Sequence, residues 1–136
     1  MTLTPEEKQT LIKYKIEKAE ASIKDVEFLI ENGKYNLAIS RIYYGVFYAL
    51  AAVGLKYDFS TGKHQQLIGW FNKTFIMPGT FDKKYGSFIH KSYDKRSSSD
   101  YDDYRVFQKE ETVELFSELK KFVESVKSFL FQAGQN

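Results

Sequence analysis

NLAISRIYYGVFYALAAVGL, residues Asn36–Leu55, carries Arg41 as its single charged side chain. Read with helical spacing, it presents three adjacent apolar or small faces. These are Ala38, Ile42, Gly45, Ala49 and Ala52; Ile39, Tyr43, Val46, Leu50 and Val53; and Leu37, Tyr44, Tyr48, Ala51 and Leu55. A helix apolar on so many sides must be wrapped by other elements or by lipid. The uncharged run from Ile42 stops at Lys56, short of the roughly 20 residues a bilayer requires. The tyrosine hydroxyls also call for partners that a packed protein interior supplies more readily than hydrocarbon. The stretch is therefore expected to be the central helix of a packed fold, with no membrane role.

Upstream of it, Thr4-Pro5-Glu6-Glu7 has the form of a helix start: a hydroxyl cap, proline at the first helical position and a carboxylate three residues after the cap. Ile12, Ile16, Ala19, Ile23, Val26 and Ile30 follow at alternating steps of four and three, the seam of a bundle helix. Asn32-Gly33 ends it, and so short a turn sends the central helix back antiparallel to the first.

Downstream, a third helix is expected from Gly62 or Lys63, capped by Ser60 or Thr61, with Leu67, Ile68, Trp70, Phe71 and Phe75 turned inward; Met77-Pro78-Gly79 stops it. A fourth should run from about Phe81 to Lys95, followed by a polar loop or frayed helix end from Arg96 to Tyr104. A fifth spans Lys109–Gln132 on Phe116, Leu119, Val123, Val126 and Leu130. No strand-like alternation of useful length occurs. The expected fold is all-α, an up-and-down bundle of four main helices plus a shorter one, forming a single domain over 1–136.

Composition narrows the chemistry. The 136 residues include no Cys, which excludes disulfides, thiolate metal sites and cysteine nucleophiles. The amino terminus lacks the charged start and apolar run of a signal peptide, so a cytoplasmic location is the expectation. Neither His64 nor His90 has Glu three residues before it, so no metal site of the Glu-x-x-His kind is expected, and the scattered glycines form no phosphate-cradling loop. No cofactor is called for. The net charge of +2 is small, but Ser60–Arg96 holds seven Lys or Arg against Asp82 and Asp94, and Ser97–Glu114 reverses that balance.

Three clusters can carry chemistry. Arg41 with Tyr43 and Tyr44 lies on the central helix, where a buried guanidinium requires a carboxylate; Asp100 is the expected partner. Lys63 and His64 sit at a helix start, where exposed amides suit an anion, although His64 can equally serve packing alone. Arg96-Ser97-Ser98-Ser99-Asp100-Tyr101, with Tyr104 beyond, can hold a phosphate or fix itself as an ion-paired network.

Taken together, Ala38-x-Ser40-Arg41-x-Tyr43-Tyr44-x-x-Phe47, then Lys63-His64, then Arg96-x-x-x-Asp100-Tyr101 resemble the HEPN family, in its branch of small stand-alone bacterial and archaeal proteins. The resemblance implies a helical bundle, homodimers, pairing with minimal nucleotidyltransferases in toxin–antitoxin modules and, in many members, metal-independent RNA cleavage. Cleaving members carry Arg followed after four to six residues by His. Arg96 matches the Arg, but Tyr101, Asp102 and Asp103 stand where the His would be. Such cleavage needs a base for the ribose hydroxyl and an acid for the leaving oxygen, and imidazole serves both near neutral pH. Phenol and carboxylate are poorer bases. The resemblance therefore implies a non-catalytic or weakly catalytic homodimer that binds a nucleotidyltransferase-type partner, or a nucleotide or RNA phosphate near Lys63, His64 and Arg96. Two alternatives stand beside it: a ribonuclease toxin using Arg96 with Tyr101, Asp102, Tyr104 or His64, and a purely structural helical interaction domain.

Overall fold

The computed structural model describes residues 2–101 and 105–131, the side chain of Tyr101 excepted. Five α-helices follow one another: α1 Pro5–Glu31, α2 Tyr35–Lys56, α3 His64–Phe71, α4 Lys83–Tyr101 and α5 Lys109–Phe131. No strand occurs among the described residues. The expected all-α bundle, four long helices and one short, is the architecture found.

The capping box of α1 forms as its sequence predicts. Glu7 N–H donates to the Thr4 hydroxyl at 3.0 Å, and Thr4 N–H donates to the Glu7 carboxylate at 2.8 Å. At the other end Gly33 adopts φ +70°, and the N–H groups of Gly33 and Lys34 bond back to the carbonyls of Ile30 and Leu29. This Schellman closure needs a left-handed residue, which glycine supplies without strain. It turns the chain so that α2 packs along α1.

α2 is the hub and packs against all four other helices. Two of its three faces are closed: Ala38, Ile39, Ile42, Tyr43, Gly45, Val46, Ala49, Leu50, Ala52 and Val53 are buried. The third departs from the expectation of burial on nearly every side. Leu37 is exposed, and Tyr44, Tyr48, Ala51 and Leu55 are half-buried, leaving an open stripe down the helix. By length and composition α2 could cross a membrane, but most of its apolar window is covered by the other helices.

α3 begins at His64, with Lys63 as the cap residue. Thr61 does not cap the helix directly; its hydroxyl accepts from Lys63 N–H at 3.1 Å and donates to Gln66 at 2.7 Å, bracing the loop instead. The helix widens into a π-turn over Asn72–Ile76 and stops at Met77-Pro78-Gly79 as predicted, with Gly79 at φ +87°. This widened turn lodges Phe75 beside Phe71 and Phe81. With Phe88, Phe122 and Phe129 they form an aromatic core between the α3 segment, α4 and α5, which takes up half of the twelve phenylalanines.

α4 runs further than the expected end near Lys95. Helical bonding continues through Arg96 to Tyr101, so of the two alternatives for the serine-rich segment, loop or helix end, the helix holds. Its exit is held by Asn36 at the start of α2. The Asn36 amide donates to the Arg105 carbonyl at 2.7 Å and accepts from Phe107 N–H at 3.0 Å, while its own carbonyl accepts from Ser99 at 3.2 Å. Phe107 is thereby seated in the core, beneath the Arg105 guanidinium at 4.1 Å.

Candidate functional site

The extension of α4 decides which side chains meet. Tyr43 and Phe47 are one turn apart on α2, and His64 opens α3. Tyr93 and Arg96 lie one turn apart on α4, with Asp100 one turn further on. These six, joined by Tyr44, form one contiguous cluster.

At its centre is Tyr43, whose ring is fully buried. Its hydroxyl is 2.9 Å from Nδ1 of His64. Burial pushes this phenol far above its ordinary range, against the opposing pull of Arg96, so it stays an intact O–H. The His64 imidazole lies against two rings, 4.2 Å from Phe47 and 5.4 Å from Tyr43. Burial first, and the Arg96 charge second, lower its pKa below 6.5. The imidazole is therefore neutral at physiological pH, with one nitrogen engaged by Tyr43 and Nε2 left for other chemistry.

Arg96 approaches the same tyrosine from α4. Its guanidinium carbon is 5.5 Å from the Tyr43 ring and 5.4 Å from the Tyr44 ring, in cation–π range. It donates to the Tyr44 hydroxyl at 3.1 Å, and its Nε is 2.7 Å from the Asp100 carboxylate one helical turn away. With its side chain 19% exposed, Arg96 is oriented by rings and a carboxylate yet still reaches the surface.

Asp100 is therefore the partner of Arg96, not of Arg41 as the sequence suggested. Arg41 also lies against the Tyr44 ring, 5.3 Å from its centroid. It reaches back to α1, 3.8 Å from Asp25 and 3.4 Å from the Ser22 hydroxyl. Its side chain is 37% exposed, so the premise of deep burial fails, although its Nε is buried without a hydrogen-bond partner among the described residues. Arg41 of α2 and Arg96 of α4 thus both lie in cation–π range of one tyrosine ring.

Of the other sequence candidates, Lys63 is exposed, and among the described residues its ammonium has no ion-pair partner. His90 points outward to Asp94 at 3.3 Å and does not join the cluster. The side chain of Tyr101 and residues Asp102 and Tyr104 lie outside the described residues. Phe47 and Tyr93 were missed as site residues, although Phe47 lies four residues after Tyr43 and Tyr93 three before Arg96, the spacing that puts each on its neighbour's face. Among the described residues no three His, Asp or Glu side chains are grouped to hold a metal ion.

Chemically, the cluster offers an oriented guanidinium and a neutral imidazole brought to one buried tyrosine. Guanidinium suits the oxygens of a phosphate, and imidazole can donate or accept a proton at Nε2.

Residues 12–129 match the family model described as the HEPN domain. Among curated proteins, a UPF0332 protein of Thermotoga maritima is 27% identical over 91% of this chain and 94% of its own length. Two proteins of Methanocaldococcus jannaschii, each named a putative toxin, are 34% and 33% identical; both alignments cover 85% of this chain, and 78% and 85% of the relatives.

Proposed function

The chain belongs to the HEPN family, and from that premise we propose that it is a homodimeric phosphate-binding module whose ligand is RNA or a nucleotide, held at Arg96 and His64. The observation that carries this reading is the convergence of Arg96 and His64 on Tyr43 from two different helices. Arg96 makes the charge-assisted contact to phosphate oxygens, and the Tyr44 hydroxyl and Asp100 fix the plane of its guanidinium. Lys63, exposed at the start of α3 next to His64, adds positive charge at the rim. Two relatives named putative toxins support a toxin-type role; a nucleotidyltransferase-type protein as its partner is what the resemblance to the family implies.

The test is RNA binding to the purified protein, followed by fluorescence anisotropy over a salt series. Wild type should bind with an affinity that falls as salt rises, and Arg96→Ala should weaken it by about tenfold or more. Equal binding by the two proteins would end this reading. Co-purification with a nucleotidyltransferase encoded beside it tests the partner; no association at micromolar concentration counts against it.

One observation favours a second reading, metal-independent cleavage. The imidazole absent from the segment after Arg96 has a counterpart in His64. In the tautomer in which Nδ1–H donates to the Tyr43 oxygen, Nε2 is the base that takes the ribose hydroxyl proton and the leaving oxygen needs a second acid. In the tautomer in which the Tyr43 O–H donates to Nδ1, Nε2–H is the acid for the leaving oxygen and the base must come from elsewhere. Cleavage in EDTA that yields 2′,3′-cyclic phosphate ends and is lost in His64→Ala would establish it.

A further inference from the structure

The half-open face of α2 does not stop at the candidate site. From His64 the ring contacts continue outward: Phe47 is 4.2 Å from His64, and Tyr48 is 6.2 Å from Phe47. Lys18 of α1 then bridges Tyr48 and Tyr14, with its ammonium 5.4 Å and 5.5 Å from the two rings. Lys15 lies 6.0 Å from the Tyr48 ring. Tyr14 is 49% exposed and Tyr48 half-buried, so both rings have area open to a ligand.

The charges of this face are one-sided. Among the described residues neither Lys15 nor Lys18 has a carboxylate partner. The nearby acids of α1 turn to the other side of the helix: Glu20 pairs with Lys127 of α5 at 2.7 Å, and Glu17 lines the same α1–α5 groove as Glu20. Unpaired lysines interleaved with accessible tyrosines are what a single nucleic-acid strand requires, because each base offers a π-face and each linkage a negative charge. The charged groups that lie against Tyr14 and Tyr48 are both lysine ammoniums, which fits a negatively charged strand better than a protein partner.

We propose that Tyr14, Lys15, Lys18 and Tyr48 form a stacking track for single-stranded RNA that leads across α1 and α2 into the Arg96–His64 site. The inference rests on the phosphate-binding reading of that site and extends it. The site holds one phosphate group, and the track holds the bases and linkages that follow, making the ligand an unpaired strand several nucleotides long.

Anisotropy with two labelled oligouridylates, a trinucleotide and a dodecanucleotide, tests it. Wild type should bind the dodecamer more tightly by about tenfold or more. The double variant Tyr14→Ala/Tyr48→Ala should bind the trimer as wild type does and lose about tenfold per ring on the dodecamer. Tyr14→Phe/Tyr48→Phe keeps both rings and should retain that affinity, while Lys15→Glu/Lys18→Glu should flatten the salt dependence. If the alanine variant, folded by circular dichroism, binds the dodecamer like wild type, the track is overturned. It is equally overturned if Tyr48→Ala dissociates a dimer and leaves RNA affinity unchanged, for that face is then an interface between copies. Arg96→Ala separates the two readings. Trimer binding insensitive to Arg96, beside a tyrosine-dependent gain on the dodecamer, removes the site and keeps the track; no binding of either oligonucleotide removes both.

Discussion

The Tyr43 hydroxyl and Nδ1 of His64, 21 positions apart in the chain, meet at 2.9 Å and join the central helix to the first turn of α3. The contact couples folding to the protonation of one imidazole. Tyr43 is fully buried, Phe47 lies 4.2 Å from the imidazole, and the Arg96 charge acts on it, so both burial and Arg96 favour the neutral form of His64.

Stability should therefore fall on mild acidification. The folded-state pKa of His64 is lowered from 6.5, so below that pH the unfolded chain takes up a proton that the folded chain resists. The stabilisation is present above pH 6.5 and is lost as pH falls through the depressed folded value. Urea unfolding from pH 7.5 to 5 should show a declining midpoint in wild type and a shallower decline in His64→Phe. Identical slopes would mean that His64 is not the group responsible.

Asn36 is expected to matter out of proportion to its size. Its amide satisfies Arg105 C=O and Phe107 N–H together, and its replacement by alanine leaves both without that partner. A cost of about 1–3 kcal/mol is expected. Because this clamp seats Phe107, limited proteolysis should cut between α4 and α5 faster in Asn36→Ala; an unchanged cleavage pattern would contradict the clamp.

Much of this fold was legible because it is written in helical periodicity. The caps of α1, the seam of α5 and the stop after α3 are local signals, and each stands where it was read. The end of α4 was left open between a polar loop and a frayed helix end, because the three serines have modest helix propensity; the local Arg96–Asp100 pair and the bond from Ser99 to the Asn36 carbonyl support the helix there. Asp100 was misassigned for another reason: Arg41 was read as a buried guanidinium in need of a carboxylate, but it lies on the half-open stripe of α2. Asp100 falls one helical turn beyond Arg96 and pairs with it, as the ion-paired reading of that segment allowed. The convergence of Tyr43, His64 and Arg96 joins three helices, and no spacing rule within one helix reports it.

Gly54 should tolerate no side chain. A Cβ built there would lie 2.5 Å from the Phe59 carbonyl oxygen, in the turn where Phe59 N–H bonds back to the Gly54 carbonyl at 2.8 Å. The obstacle is backbone and cannot swing aside. Gly54→Ala should lower stability by about 1–3 kcal/mol, and Tm by on the order of 5 °C. By contrast Gly62→Ala, with nothing within 4 Å of the added carbon, should change Tm little. Equal melting of the two variants would refute this account.

Arg41 and Arg96 give the sharpest contrast, because both guanidiniums lie within about 5.5 Å of the Tyr44 ring. Arg41 is 37% exposed and 3.8 Å from its carboxylate, an open ion pair of the kind worth about 0–1 kcal/mol. Arg96 is 19% exposed and 2.7 Å from Asp100, and it donates to the Tyr44 hydroxyl as well. Removing Arg96 strips the Asp100 ion pair and the Tyr44 hydrogen bond, with the ring contacts to Tyr43 and Tyr44, from a half-buried position, so Arg96→Ala should cost about 1–3 kcal/mol. Arg41→Ala should cost less than half as much. The expected order in urea midpoint is wild type, Arg41→Ala, Arg96→Ala, with Arg96→Lys near the last because an ammonium cannot satisfy the carboxylate and the hydroxyl in the guanidinium's planar geometry. If Arg96→Lys recovers wild-type stability, charge alone holds Arg96 in place, and the argument from its bonding geometry fails.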